Sequence, residues 1–169
     1  VRNGEEVRMS KRAGTVVSVD ELLDAISIDV ARFFFLLYSA DTHMNFDLGL
    51  AEERSQKNPV YYVQYAHARM ASILRKAEEF GLEDPERMAR KLAFDHSKEQ
   101  ALIRKLARFP EMVEDVADHA SVHQLPQYAI RLADAFHSFY GECVVLDRDD
   151  ASRSLARLSL IRSTKLVLA

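Results

Sequence analysis

Residues 58–69 read Asn-Pro-Val-Tyr-Tyr-Val-Gln-Tyr-Ala-His-Ala-Arg, and they open the longest helical pattern in the chain. Asn58 is a favourable N-cap, and Pro59 suits the first helical position because its missing N–H would be unpaired there anyway. The pattern predicts one helix to about Phe80, ended by Gly81. A core-facing stripe at steps of three and four comprises Val60, Val63, His67, Met70, Leu74 and Ala77.

A second stripe runs along nearly the opposite face of this predicted helix. Tyr62, Arg69 and Lys76 are each seven residues apart, close to two helical turns, and Tyr65 and Ala66 lie beside them. An aromatic ring with guanidinium and ammonium groups on an outward face suits a nucleic-acid base and its phosphate. The alternative is that the tyrosines pack against a neighbouring helix while the charged groups lie in water.

The composition indicates a globular, mainly helical chain. It has 169 residues, of which 48% are hydrophobic and 29% charged, with only five glycines and four prolines. No apolar run approaches the roughly 18 residues of a membrane-spanning helix, so we expect no membrane association. Cys143 is the only cysteine, which rules out an internal disulfide and fits a cytoplasmic location.

The charges are unevenly distributed although the net charge is only −3. Residues 60–110 carry ten Lys/Arg against seven Asp/Glu, residues 111–150 carry two against nine, and residues 151–169 carry four and no acid. Two basic regions could meet on one positive face and attract a polyanion. Solvated faces that compensate each other would give the same distribution.

Caps and apolar spacing predict helices along most of the remaining chain. Ser18 and Glu21 form a capping box, and Asp29 is a candidate cap for a helix through Tyr38. Further predicted helices run from Asp47 to Lys57, Asp84 to Leu92, Ser97 to about Arg108, from Pro110, from Pro126 through Leu146, and from Asp149 or Asp150 over Leu155 to Leu168. Only Asn3-Gly4, a strong two-residue turn signal, predicts a β-hairpin, over residues 1–8. The prediction is therefore an all-α helical bundle after a short β-hairpin.

Four stretches carry a resemblance to one family. Residues 58–69 resemble the anticodon-binding region of arginyl-tRNA synthetases, and residues 133–146, Ala-Asp-Ala-Phe-His-Ser-Phe-Tyr-Gly-Glu-Cys-Val-Val-Leu, resemble the closing motif of that family. Residues 8–15, Arg-Met-Ser-Lys-Arg-Ala-Gly-Thr, are similar to the K-M-S-K signature loop of class I aminoacyl-tRNA synthetases. Residues 29–32, Asp-Val-Ala-Arg, are similar to the D-A-L-R sequence of DALR-type anticodon-binding domains, with two conservative departures.

The resemblance implies the C-terminal part of an arginyl-tRNA synthetase, which joins arginine to tRNA(Arg) using ATP with Mg²⁺. Residues 1–27 would be the end of the class I catalytic domain with the signature loop, and residues 28–169 a DALR-type anticodon-binding bundle. The nucleotide-binding fold with its H-I-G-H motif would lie upstream of Val1. We therefore expect a cytoplasmic monomer that binds tRNA, holds no cofactor of its own and is catalytically inactive alone.

The resemblance also implies roles for particular residues. In the signature loop, Lys11 with Ser10 and Arg8 would stabilise charge on the ATP phosphates, although Arg8 replaces the first lysine of the motif. In the anticodon pocket, Tyr62 would stack on or border a splayed-out base, and Arg69 would donate hydrogen bonds to a base edge or phosphate. Further anticodon-binding candidates, for which capping or packing is also a sufficient explanation, are Asn58, Gln64 and Tyr65.

Other interpretations remain open at this point. A related class I enzyme such as cysteinyl-tRNA synthetase shares the signature loop and D-A-L-R-like helices, and a helical protein-interaction scaffold would show the same periodicity. His119 and His123 have the i, i+4 spacing of metal ligands, but Pro126 follows closely and no Cys pair or nearby carboxylate completes a set. We predict no metal site, and we interpret Cys143 as a small buried residue.

Overall fold

The structure is a computed structural model that describes residues 18–79, 81–82 and 93–169. Every regular element within these ranges is an α-helix: α1 Val19–Ala25, α2 Ile28–Leu36, α3 Leu48–Glu52, α4 Pro59–Glu79, α5 Ser97–Ala107, α6 Phe109–His119, α7 Gln124–Glu142 and α8 Ala151–Leu168. The predicted all-α class is therefore confirmed. The hairpin predicted over residues 1–8, the signature loop and the helix predicted from Asp84 to Leu92 lie outside the described residues.

Four long helices form the main bundle. Helices α4 and α5 each pack against both α7 and α8, which also contact each other, and α6 packs against α5 and α7. The side chains that α4, α5, α7 and α8 bury completely include Met70, Leu102, Leu132, Phe136, Phe139 and Ile161. Burying one such side chain contributes about 1.5–3 kcal/mol, so these contacts hold α4 firmly against α7.

A smaller apolar cluster joins α2, α3 and the start of α4. Its buried members are Ile26, Val30, Ala31, Phe34, Ala51 and Val60. Asn58 connects α3 to α4, because its Nδ2 donates to the Ala51 carbonyl at 3.0 Å and its Oδ1 accepts from Val60 N at 3.0 Å. The predicted Asn58 cap is thus confirmed. It fixes where α4 begins relative to α3.

The core stripe of α4 differs from the predicted one. Val60, Met70 and Ala77 are buried as expected, but Ala66 and Ile73 are buried too. The remaining predicted members, Val63, His67 and Leu74, are only half-buried. The buried arc is rotated by about 45° around the helix towards Tyr62, because α7 and α8 both pack against α4. The stripe predicted to face outward therefore lies partly at a helix–helix contact.

Four predicted helix starts are wrong by one or two residues. Helix α6 begins at Phe109 and α7 at Gln124, not at Pro110 and Pro126. Ser27 caps α2, since its Oγ accepts from Val30 N at 3.4 Å, and Asp29 lies in the first turn instead. A carboxylate there still interacts favourably with the helix dipole. His96 caps α5 in place of Ser97: its Nδ1 accepts from Lys98 N at 3.2 Å, while Glu99 Oε2 accepts from His96 N at 3.0 Å.

Several predicted helix ends are also wrong. Helix α2 ends at Leu36 rather than Tyr38, α3 ends at Glu52 rather than Lys57, and α7 ends at Glu142 rather than Leu146. After α7 the backbone becomes extended at Cys143, so the apolar Val144 and Leu146 belong to a connecting segment. The last helix begins at Ala151, with Asp150 Oδ1 accepting from Arg153 N at 2.9 Å.

Candidate nucleic-acid interface

Five side chains from α4 and α7 form an aromatic–cationic cluster on the surface of the bundle. They are Tyr62, Tyr65 and Arg69 of α4 with His137 and Tyr140 of α7. The two helices can present these side chains together because Ala66, which lies between Tyr62 and Arg69, is completely buried between the helices.

Arg69 lies between two tyrosine rings. Its Cζ atom is 4.7 Å from the ring centroid of Tyr140 and 5.3 Å from that of Tyr65, both within cation–π range. Tyr140 is itself supported by the buried Phe136, whose ring is stacked at 5.9 Å. The guanidinium is therefore held in one place by rings from both helices, which reduces the entropy lost when it meets a ligand.

Tyr62 is held at both ends. Its hydroxyl donates to Asp134 Oδ1 at 2.7 Å, and its ring centroid is 4.9 Å from that of His137. Burial, followed by the hydrogen bond and charge of Asp134, raises the pKa of Tyr62 to about 12. The phenol is thus neutral at physiological pH and forms a fixed wall of the cluster.

His137 fills the space between the tyrosines. Its ring is stacked on Tyr65 at 6.0 Å, and its Nε2 atom is buried with no hydrogen-bond partner among the described residues. Burial and the neighbouring Arg69 lower the pKa of His137, while Asp134 acts in the opposite direction. The imidazole is therefore neutral at physiological pH, and Arg69 remains the cation that the cluster presents.

A groove of about 590 Å³ continues from this cluster along α4. One wall consists of Arg69, Ser72, Ile73 and Lys76, and the other of Tyr140 and residues 141–146. Val144 projects into solvent with 65% of its surface exposed, and Glu142 is paired with Lys98 at 3.1 Å. The groove thus combines two cations, an aromatic ring and an apolar side chain. A positively charged groove with aromatic rings is what proteins use to bind single-stranded nucleic acid.

The family comparison decides what kind of domain carries this groove. The model of the DALR anticodon binding domain matches residues 63–169, which include α5 to α8 and all of α4 except its first turn. The chain belongs to the DALR anticodon-binding domain family.

Relatives and a solved structure agree with this assignment. Two curated proteins, each called arginine–tRNA ligase, are 51% identical (Symbiobacterium thermophilum) and 44% identical (Bacillus subtilis) over 99% of this chain. A crystal structure described as an arginyl-tRNA synthetase of Campylobacter jejuni superposes over 99% of this chain with a TM-score of 0.78 at 26% identity, using 36% of its own length. The chain spans about 30% of the length of the curated relatives.

Three of the residues predicted for an anticodon pocket meet on this face of the DALR domain. Tyr62, Tyr65 and Arg69 belong to one cluster, as the geometry above shows. Gln64 is exposed but lies about 140° around α4 from Arg69, so it faces away from the groove. Asn58 is completely buried, with both polar side-chain atoms bonded, so it has no surface to offer a base.

Sequence reasoning did not identify the α7 half of the cluster. Asp134, His137 and Tyr140 follow one another at i, i+3 spacing, which places them along one face of a helix. All three lie in residues 133–146, the stretch that resembles the closing motif of the family, so this spacing was the available signal. The signature-loop residues Arg8, Ser10 and Lys11 lie outside the described residues.

Two other functional classes receive no support from the described part of the chain. None of its helices is both long and apolar enough to cross a membrane. Its residues form no group of three or more His, Cys, Asp and Glu side chains placed to hold a metal ion. His119 instead contacts its neighbour Asp115, with its Nδ1 atom 3.2 Å from Oδ1 of that carboxylate.

Proposed function

We propose that this chain is the tRNA-binding part of an arginine–tRNA ligase and that the aromatic–cationic cluster with its groove receives unpaired anticodon bases of tRNA(Arg). Membership of the DALR family and relatives called arginine–tRNA ligase support the proposal. The observation that carries it is the Arg69 guanidinium, held between Tyr65 and Tyr140 at the groove.

The proposed chemistry follows from the groove's lining. Splayed-out bases stack on aromatic rings and on guanidinium planes, and each such contact contributes about 1–3 kcal/mol. Arg69 donates to a base edge or phosphate, and Lys76 lies further along the groove to neutralise the backbone. Tyr62 borders the site instead of swinging into it, because Asp134 anchors its hydroxyl.

In the intact enzyme, the chain would work with a catalytic part. We propose that residues 1–27 belong to the class I catalytic domain and residues 28–169 to the anticodon-binding part, with Leu22 and Ile26 packing against α2 across this boundary. Arg8, Ser10 and Lys11 would act on ATP, supplied with Mg²⁺, when arginine is activated. The enzyme would act in the cytoplasm as a monomer.

The test is binding of an arginine anticodon stem-loop to three arginine variants. Arg69→Ala should lower the affinity by about 10- to 100-fold, because charge-assisted hydrogen bonds and stacking are both lost. Arg69→Lys should recover only part of this, since an ammonium keeps the charge but not the planar fork. Arg75→Ala is the matched control: Arg75 is exposed on the same helix, about 120° around it from Arg69.

Two results would contradict the proposal. Equal losses of affinity for Arg69→Ala and Arg75→Ala would mean that only the general positive charge of α4 contributes to binding. The aromatic–cationic cluster would then make no specific contact with the anticodon. An absence of binding by the unmodified chain at low salt, where phosphate contacts are strongest, would favour a helical protein-interaction scaffold.

A further inference from the structure

A buried ion pair connects α5 to α8 behind the groove. Arg157 Nε donates to Glu99 Oε1 at 2.6 Å, and the two side chains are only 11% and 3% exposed. The second Glu99 oxygen accepts from the backbone N of His96. A buried ion pair is favourable only when its remaining donors and acceptors are also hydrogen-bonded. The second hydrogen-bonded nitrogen of Arg157, Nη1, therefore also needs a partner.

The Nη1 atom of Arg157 bonds to the wall of the groove. Arg157 Nη1 donates to the Val144 carbonyl at 2.7 Å. Val144 lies in residues 143–146, the connecting segment after α7 that lines the groove opposite Arg69 and Lys76. The flanking side chains of Cys143 and Val145 are buried, whereas the Val144 side chain projects outward. One guanidinium therefore joins α5 to the backbone of this segment.

We propose that Arg157 is a positioning residue for RNA binding: held by Glu99, it fixes the Val144 carbonyl and with it the wall of residues 143–146 that faces Arg69. Arg157 does not touch RNA in this scheme. The effect of Arg157 on RNA binding rests on the proposed function. Whether Arg157 holds residues 143–146 in place can be measured without RNA.

The first measurement uses the single cysteine of the chain as a reporter. Cys143 is 4% exposed, so a thiol reagent such as DTNB reaches it only when residues 143–146 open. Arg157→Lys keeps the positive charge but offers one nitrogen where arginine offers two separated ones, so it cannot reproduce both bonds. We expect the variant to raise the Cys143 reaction rate about tenfold.

Arg153→Lys is the matched control. Arg153 lies one turn earlier on α8, and its Nε atom is 3.4 Å from Oδ2 of its partner Asp150. The control should leave the Cys143 rate unchanged. If Arg157→Lys also leaves it unchanged, or raises it only in proportion to a fall in global stability measured by urea unfolding, the positioning role is wrong.

The second measurement is affinity for the anticodon stem-loop at several salt concentrations. Arg157→Lys should weaken binding about fivefold to tenfold without changing the dependence of affinity on salt, because no phosphate contact is lost. A fall in the salt slope of about one would show that Arg157 contacts phosphate itself and would overturn the positioning role. Unchanged affinity in a variant with a faster Cys143 rate would show that the wall does not take part in binding.

The two measurements separate the inference from the function on which it rests. If the unmodified chain binds no stem-loop, the proposed function fails and the RNA part of the inference fails with it. The Cys143 rates still decide whether Arg157 holds the segment. If the unmodified chain binds normally and both lysine variants match it in both measurements, the proposed function stands and the inference fails.

Discussion

At Tyr62, a single side chain takes part in both the fold and the surface. Its ring packs against the main core, and its hydroxyl bonds to Asp134 across the α4–α7 contact. On the outward stripe where the sequence analysis placed Tyr62, the substitution Tyr62→Ala would leave the fold intact. The packing leads to a different expectation, because removing a half-buried ring between two helices should lower the free energy of unfolding by about 2 kcal/mol.

A comparison of Tyr62→Phe with Tyr62→Ala separates the two roles. Tyr62→Phe keeps the ring and loses only the bond to the exposed Asp134, so it should lower the free energy of unfolding by about 1 kcal/mol and change stem-loop affinity less than twofold. Tyr62→Ala should lower affinity by about tenfold or more. Urea unfolding and stem-loop titration measure both effects. If Tyr62→Ala loses stability but keeps its affinity, Tyr62 is a packing residue alone.

The raised pKa of Tyr62 predicts a loss of stability at high pH. The pKa is about 12 in the folded chain against 10.0 for a free tyrosine, so the fold favours the neutral phenol. This contribution is fully present below pH 10 and disappears as the pH rises towards 12. Melting temperature should fall over that range more steeply in the unmodified chain than in Tyr62→Phe. Parallel curves for the two proteins would contradict the assigned pKa.

At the scale of the helices, Asn58 is the cap whose loss should matter most. Asn58→Ala removes the bond to Val60 N and the bond to the Ala51 carbonyl, leaving two buried backbone groups unpaired. The free energy of unfolding should fall by about 3 kcal/mol. Ser18→Ala, at an exposed cap of the seven-residue α1, should cost about 0.5–1 kcal/mol. Equal losses in urea unfolding would mean that burial of Asn58 adds nothing.

Features of a helix that depend on neighbouring residues were predicted from the sequence better than features that depend on distant residues. The cap at Asn58 and the capping box at Ser18 depend on neighbouring residues only, and both were predicted correctly. The buried face of α4 depends on where α7 and α8 lie, which the pattern of one helix does not contain. The end of α7 at Glu142 is also next to a contact with a distant group, because the backbone is extended at Cys143 and Arg157 bonds to the carbonyl of the following residue, Val144.

The candidate site was predicted in part for the same reason. Tyr62 and Arg69 were found because they share one face of one helix. Their partners Asp134 and Tyr140 lie about seventy residues further along the chain, and only the packing of α7 on α4 brings them together. Asn58 was misplaced in the site because its type suits both a cap and a base contact, and burial alone distinguishes these.

At the scale of the whole molecule, different neighbours hold the start and the middle of α4. The start of α4 is fixed by α2 and α3, whereas its middle contacts α7 and α8 and carries the cluster. Changes at the groove should therefore alter RNA affinity while the cluster around Val60 stays intact.

The last prediction concerns the chain within the proposed intact enzyme. The 169-residue chain alone should not catalyse arginine-dependent ATP–pyrophosphate exchange, even with tRNA present, because Lys11 would act on a nucleotide bound by the catalytic part. In the intact enzyme, Lys11→Ala should slow exchange by at least about 100-fold, as expected when a cation that stabilises transition-state charge is removed, while tRNA affinity changes less than twofold.

Arg69→Ala provides the opposite case in the same enzyme. It should weaken tRNA binding by about tenfold or more, and saturating tRNA should restore most of the rate at which arginine is joined to tRNA, because the lost contact serves binding and not chemistry. Exchange at the unmodified rate in Lys11→Ala would remove the role proposed for the signature loop. A defect in Arg69→Ala that saturating tRNA does not relieve would mean that Arg69 contributes to more than the binding of the anticodon.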